Sequence, residues 1–208
     1  MLFDDRFDAG RRLANALAAY RDARPVVLAI PRGGVPLGRV VADDLAGDLD
    51  VVLVRKIGAP FNPEFAVGSV GESGKVFVAD FADRAGADQA YVNKEAAIQL
   101  DTIHRRRALY TSVCPSINPQ GRTVIVVDDG LATGATMRAA LAEVRAHHPA
   151  RLICAVPVAS AEAASRIRER CDELICLAIE TDFQGVGQFY RDFSQVSDDT
   201  AVSLLKQS

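Results

Sequence analysis

Residues 124–137, Val-Ile-Val-Val-Asp-Asp-Gly-Leu-Ala-Thr-Gly-Ala-Thr-Met, constrain the fold more than any other stretch of the chain. Val124 to Val127 are β-branched throughout with no polar alternation, which suits a strand buried on both faces of a parallel sheet. Asp128 and Asp129 follow at once, where such a strand emerges at its carboxyl end. Gly130, Thr133, Gly134 and Thr136 come next, and then Met137, Ala140, Leu141 and Val144 recur at helical spacing. The stretch reads as strand, acid pair, small-residue loop and helix.

Each part has a chemical consequence. Glycines let a backbone turn tightly and approach a ligand closely. A loop that runs into a helix N-terminus aims N–H groups outward beside the positive end of the helix dipole, and this suits a phosphate. Thr133 and Thr136 add hydroxyl donors. The aspartates would repel that phosphate unless they face something else. An ionised carboxylate only accepts hydrogen bonds, so a vicinal diol such as the 2- and 3-hydroxyls of a ribose satisfies the pair. Two other phosphate loops fit less well. A Walker-A loop needs a lysine where Ala135 stands, and a dinucleotide fingerprint needs a glycine spacing that Gly130 and Gly134 lack.

A second strand–loop–helix unit lies near the start of the chain. Val26 to Ile30 predict a buried strand, Pro31-Arg32-Gly33-Gly34-Val35-Pro36 a loop with its own glycine pair and one cation, and Val40, Val41 and Leu45 a helix. Before it, Asp8 is a candidate cap for a helix that carries Leu13, Leu17 and Tyr20 on one face. After it, Val51 to Val54 predict a third strand leading into Arg55-Lys56. Ala66–Val70 and Lys75–Ala79 predict a hairpin turned through Gly71-Glu72-Ser73-Gly74. Neither Glu64 nor Glu72 in this region is assigned as a base. A long helix over about 88–110 ends in His104-Arg105-Arg106-Arg107, and an aperiodic segment with Pro115, Pro119 and Gly121 follows. Beyond residue 137 come a strand over 151–158, a helix over 161–171 and a strand over 174–179. The β-α alternation predicts a single α/β domain over 1–208, a doubly wound, mostly parallel sheet with helices on both faces.

On the residues quoted, the chain resembles the type I phosphoribosyltransferases, whose signature joins hydrophobic residues, two acids and a Thr-Gly-x-Thr loop. Val124 to Thr136 match it over nearly its full length, residues 31–36 match well, and elsewhere the resemblance is topological. It implies a transferase that displaces pyrophosphate from 5-phosphoribosyl 1-pyrophosphate by attack of a base or another small nitrogen nucleophile. Asp128 and Asp129 would hold the ribose. Gly130, Leu131, Ala132, Thr133, Gly134, Ala135 and Thr136 would hold the 5-phosphate. Arg32, Gly33, Gly34 and Lys56, with Arg55 as second choice for that cation, would hold the pyrophosphate. Mg²⁺ is the implied cofactor, bound through substrate and water, with Asp128 and Asp129 reaching it only through water. Catalytic candidates are Lys56, Arg105 and Arg106. The resemblance further implies a lid over about 105–120 and a small acceptor-gripping hood from the N-terminal segment and about 180–208, where Phe183, Phe189, Tyr190 and Phe193 cluster.

One position departs from part of the family. Enzymes for 6-oxopurines carry an aspartate base where this chain has Ala132, which disfavours hypoxanthine, guanine and xanthine and leaves the acceptor and the general base open. The second functional class is a regulator on the same fold that senses phosphoribosyl pyrophosphate with little or no catalysis. A nucleic-acid reader would show a basic face, whereas the net charge is −3 and the only dense basic cluster is Arg105 to Arg107. No nucleic-acid or membrane partner is expected, and a homodimer is left open. Met-Leu-Phe-Asp-Asp-Arg is not a signal peptide and no apolar run approaches a membrane span, so the expected compartment is the cytoplasm. Cys114, Cys154, Cys171 and Cys176 lie apart among apolar neighbours and read as core thiols.

Overall fold

In a computed structural model, residues 1–206 are described, the Glu64 side chain excepted. Helix α1 (Arg6–Ala16) leads through a short 3-10 turn to strand β1 (Val26–Ala29), helix α2 (Gly34–Asp44) and strand β2 (Asp48–Val51). Strands β3 (Val54–Ala59), β4 (Asn62–Gly71) and β5 (Val76–Val78) follow, then helix α3 (Gln89–Thr111) and strand β6 (Thr123–Val127). Helix α4 (Ala135–Arg145), strand β7 (Arg151–Ser160), helix α5 (Ala161–Arg168), strand β8 (Glu173–Glu180) and helix α6 (Asp198–Leu205) complete the order.

The central sheet is parallel, in the order β2-β1-β6-β7-β8. From β1 the chain winds outward to β2, and from β6 it winds the opposite way to β7 and β8. The direction reverses between β1 and β6, and in open α/β sheets a ligand crevice opens beyond the carboxyl ends at that place. Every residue of β1 and Val124 to Val127 of β6 are buried, as their unbroken apolar runs require. Alternate residues divide between two cores. Val27, Ala29, Ile125 and Val127 face α1 and α2, while Val26, Leu28, Val124 and Val126 face α4 and α5.

The middle of the chain departs from the expectation. Val51 to Val54 do not form one strand: β2 ends at Val51 and β3 begins at Val54, in a separate antiparallel sheet ordered β3-β4-β5. The apolar run spans the joint where the chain leaves the parallel sheet, and hydrophobicity alone does not mark that exit. The predicted hairpin is present as β4 and β5, with β3 added to its edge. Asp8 is not the first helix cap. Asp5 is, its side chain accepting from the Asp8 N–H at 2.7 Å. Among the described residues no helix is long and apolar enough to cross a membrane.

Candidate active site

The crevice is built where β1 and β6 end side by side. Side chains cap four of the six described α-helices at their N-termini: Asp5, Asp88, Ser160 and Ser197 for α1, α3, α5 and α6. The other two, α2 and α4, begin at Gly33 and Gly134 with no side-chain cap. Those two starts follow β1 and the β6 loop. Orphan N–H groups at a helix start need a partner. At α2 the Gly34 and Val35 N–H groups turn back to the Ile30 and Arg32 carbonyls and Pro36 has none, so the open donors are those of the loop before α4.

In the loop after β6, the amides of Ala132, Thr133 and Gly134 have no hydrogen-bond partner among the described residues. Ala132, Thr133 and Thr136 are exposed. Gly134 takes φ +71°, a left-handed conformation that suits glycine and turns the chain into α4. Leu131 differs from its neighbours. Its N–H donates to the Val158 carbonyl at 2.9 Å, its carbonyl accepts from Ser160, and its side chain is core. Leu131 therefore fixes the loop to β7 and offers no donor to a ligand.

Across the crevice, the Gly34 amide is likewise spent, on the Ile30 carbonyl at 3.0 Å. Gly34 is needed for proximity instead, since a Cβ there would lie 2.6 Å from the Val127 carbonyl. A Cβ on Gly33 would lie 2.2 Å from Asp129 Oδ2. The two glycines let the 31–34 loop press against the acid pair. The Pro31–Arg32 peptide is cis. Arg32 is partly exposed, with Nη1 3.9 Å from Asp198 Oδ2 at the start of α6.

The two acids have unequal surroundings. Asp128 Oδ1 accepts from the Asp129 N–H at 2.9 Å, and its Oδ2 has no partner among the described residues. Loss of hydration, and then the neighbouring Asp129 charge, push the Asp128 pKa well above the ordinary carboxylate range. Asp129 Oδ2 receives Arg6 Nε at 3.0 Å and Arg6 Nη2 at 2.9 Å. Burial raises the Asp129 pKa and the Arg6 guanidinium opposes that rise. Tyr190 Oη donates to the Asp129 carbonyl at 2.7 Å.

The cations do not sit as the sequence suggested. Arg55, rather than Lys56, lines a small cavity with Ile30, Pro31, Thr136 and Arg106. Residues alternate faces along a strand, so Lys56 of β3 turns the other way and is exposed. Burial, and then the adjacent Arg106 guanidinium, lower the Arg55 pKa. Two like charges held close in a partly buried place favour an anion between them. Arg105 is not there: it is exposed and pairs with Asp101 one turn away. Of the segment expected to form a lid, 105–120, Arg106 lines the cavity, and the part after α3 runs towards the amino ends of the strands, where Cys114 Sγ donates to the Leu49 carbonyl and the Ile117 N–H to Asp50.

The N-terminal segment and the tail do meet. The Phe3 N–H donates to the Phe189 carbonyl and the Arg191 N–H to the Phe3 carbonyl. The Phe3 and Tyr190 rings lie 5.4 Å apart, and the Arg6 guanidinium stacks 3.9 Å from the Phe193 ring centroid. Sequence reasoning noticed these aromatics but missed Arg6 and Asp198. Arg6 stands among Asp4, Asp5 and Asp8, where it reads as a local counter-charge.

Comparisons with known proteins give the family. Residues 3–194 match the family model for the phosphoribosyl transferase domain. Two Mycobacterium tuberculosis proteins, from strains CDC 1551 and H37Rv, whose names assign them provisionally to the phosphoribosyl transferases, are each 42% identical over 208 residues. The chain spans 47% of the length of these relatives, and the alignment takes in 100% of the chain. A crystal structure from Thermus thermophilus is 48% identical, with a TM-score of 0.89 over 100% of this chain and 99% of that one. A Neisseria gonorrhoeae protein solved with bound ppGpp, 15% identical with a TM-score of 0.53 over 99% of this chain and 95% of its own, shares the fold.

Proposed function

The chain belongs to the phosphoribosyl transferase domain family, and from that membership we propose that it transfers the phosphoribosyl group of 5-phosphoribosyl 1-pyrophosphate to a small nitrogen nucleophile, releasing pyrophosphate. The observation that carries the reading is the run of unpartnered Ala132, Thr133 and Gly134 amides before the uncapped start of α4, across one crevice from the glycine loop that begins α2, with the acid pair between them. The amides of Ala132, Thr133 and Gly134, the Thr133 and Thr136 hydroxyls and the α4 terminus receive the 5-phosphate. Asp128, through its unpartnered Oδ2, and Asp129 accept from the ribose hydroxyls. Arg32, the Gly33 amide, Arg55 and Arg106 receive the pyrophosphate. The transition state carries positive charge at ribose C1 and growing negative charge on the leaving group. These cations therefore act through positioning and charge neutralisation.

The residues present fit a Mg²⁺ carried in with the substrate. Among the described residues no group of three or more His, Cys, Asp or Glu could hold an ion by itself. The acid pair, with its unpartnered Asp128 oxygen, is placed to reach one through water. Mg²⁺ would supply further neutralisation of the pyrophosphate. With Ala132 exposed beside the acids and carrying no base, the favoured acceptor is a nucleophile other than a 6-oxopurine.

Thermal stability with Mg²⁺ and phosphoribosyl pyrophosphate, for wild type and Asp128→Asn, tests the reading. A ligand at about 100 times its dissociation constant stabilises the native state by roughly 2.7 kcal/mol. Wild type should show that shift and the variant should lose it. Pyrophosphate release across a panel of bases then identifies the acceptor, and binding without release would instead mark a sensor. Without ligand the order reverses. A carboxyl group whose pKa is raised by folding contributes stability that is complete below its unfolded value and is lost as pH rises through the folded value. At neutral pH Asp128→Asn should therefore be the more stable apo protein. No ligand-induced shift in wild type refutes the assignment.

A further inference from the structure

We propose that Arg6 is a positioning residue of the ribose site: carried by the first turn of α1, it holds Asp129 as a carboxylate and ties the tail to it. The inference rests on the phosphoribosyl transfer reading and assigns a part to a residue outside the signature.

Arg6 spends three donors on this arrangement. Its Nε and Nη2 both meet Asp129 Oδ2, at 3.0 and 2.9 Å, and its Nη1 donates to the Ser194 carbonyl at 2.8 Å. The Phe193 ring covers the guanidinium face. The side chain is 10% exposed and that of Asp129 14% exposed, so water screens the pair little. Tyr190 closes the same junction by donating to the Asp129 backbone, and Val186 of the tail lies against Gly130.

The charges facing Asp129 are few. From α1 comes Arg6, from the same loop comes Asp128, and from the tail comes the neutral Tyr190 hydroxyl, its own ionisation made harder by burial and then by Asp129. Two adjacent carboxylates at a partly dry strand end share a proton unless a cation opposes it. Arg6 is a cation in contact with Asp129. A neutral acid would donate where the ribose hydroxyls must donate, so the charge on Asp129 matters to the diol. One guanidinium thus keeps the ribose acid ionised and sets the tail residues Ser194 and Phe193 beside it.

The test follows binding of Mg²⁺-phosphoribosyl pyrophosphate against pH, with amide exchange in residues 187–196, for wild type, Arg6→Ala, Arg6→Lys and Arg6→Ala/Asp129→Asn. Removing a contacting opposite charge raises a carboxyl pKa by about 1–3 units. Arg6→Ala should accordingly move the pH midpoint of binding up by at least about one unit, an affinity loss of about tenfold on the acid side. Arg6→Lys should recover part of that shift, because charge without the planar fork remains. In the double variant the midpoint should return towards that set by Asp128 alone. Tail amides should exchange faster in Arg6→Ala.

A midpoint unmoved by Arg6→Ala overturns the proposal, and faster tail exchange with that unmoved midpoint reduces Arg6 to an anchor. Wild type that binds no ligand at any pH refutes the transfer reading instead. Arg6 is then judged from the Asp129 carboxyl resonance titrated by NMR in wild type and Arg6→Ala, where coincident curves overturn the proposal and an upward displacement in the variant supports it.

Discussion

The molecule has two polar regions whose linings meet at Val52, and they are built on contrary plans. In the larger, a cavity of about 700 Å³ lies between α4, the hairpin turn and residues 116–120. Its charges answer one another. Arg107 donates to Glu72 through Nε and Nη2, to Asp50 through Nη1 at 2.8 Å and to the Val51 carbonyl. Buried Glu143 accepts from the Ser73 N–H and hydroxyl at 2.8 and 2.7 Å. At the carboxyl-end crevice the cavity is only about 40 Å³, yet Arg55 faces Arg106, and the Ala132, Thr133 and Gly134 amides and an Asp128 oxygen lack partners among the described residues. Size would choose the first region; unmet charge and unmet donors choose the second. A polar cluster that satisfies itself holds elements together, and one left incomplete is arranged for something that arrives.

The largest effect should come from breaking the satisfied region. Asp50 is 2% exposed, and removing Arg107 strands its carboxylate in the interior together with the half-buried Glu72. Breaking a buried pair from one side costs about 3–5 kcal/mol. Arg107→Ala should lose that much in chemical denaturation, with Arg107→Lys intermediate, while the affinity of the folded protein for phosphoribosyl pyrophosphate stays unchanged. A loss of affinity matching the loss of stability would mean the two regions are not separate in function.

What could be read from the sequence follows the same division. The 124–137 unit was legible because each feature is local: a β-branched run, glycines at a turn, then helical spacing. Its contents needed tertiary information, since the Leu131 and Gly34 amides were assigned to ligands and are taken by Val158 and Ile30. Arg55 and Lys56 are neighbours whose faces depend on which sheet the strand joins, and that exit from the parallel sheet has no local mark. Arg105, Arg106 and Arg107 form one basic run, yet a helix turns about 100° per residue. They consequently reach solvent, the crevice and the Asp50–Glu72 pair in turn. Arg6 and Asp129 are 123 residues apart, and no spacing rule could join them.

Next in size are the cations of the unsatisfied region. A hydrogen bond to a charged group contributes about 1.5–3 kcal/mol. Arg55→Ala and Arg106→Ala should each weaken inorganic pyrophosphate binding by about ten- to a hundredfold, measured calorimetrically with Mg²⁺ present. Each removes like-charge repulsion in the apo protein, so Arg106→Ala should lower its stability no more than a surface substitution does, while Arg55→Ala also gives up the hydrogen bond from Arg55 Nε to Gln99. Lys56→Ala, from the outward face of β3, should leave pyrophosphate affinity within about twofold, as surface changes do. If Lys56→Ala has the larger effect, the assignment of Arg55 to the crevice is reversed.

The smallest effect tests where the two plans meet. Asp198 at the start of α6 stands 3.9 Å from Arg32, with 48% of its side chain exposed. Its Oδ1 and the Tyr110 hydroxyl are both buried without hydrogen-bond partners among the described residues. Burial, and then the Asp198 charge, raise the Tyr110 pKa. A carboxylate near the cation expected to receive pyrophosphate competes with the ligand for it. Exposed pairs of this kind contribute only about 0.2–1 kcal/mol. Asp198→Asn keeps the shape and removes the charge, so it should tighten pyrophosphate binding by up to about fivefold, and the gain should shrink with added salt as screening weakens the original pair. Weaker binding in Asp198→Asn would mean that Asp198 orients Arg32 for the ligand. The C-terminal helix would then belong with the machinery of the crevice rather than opposing it.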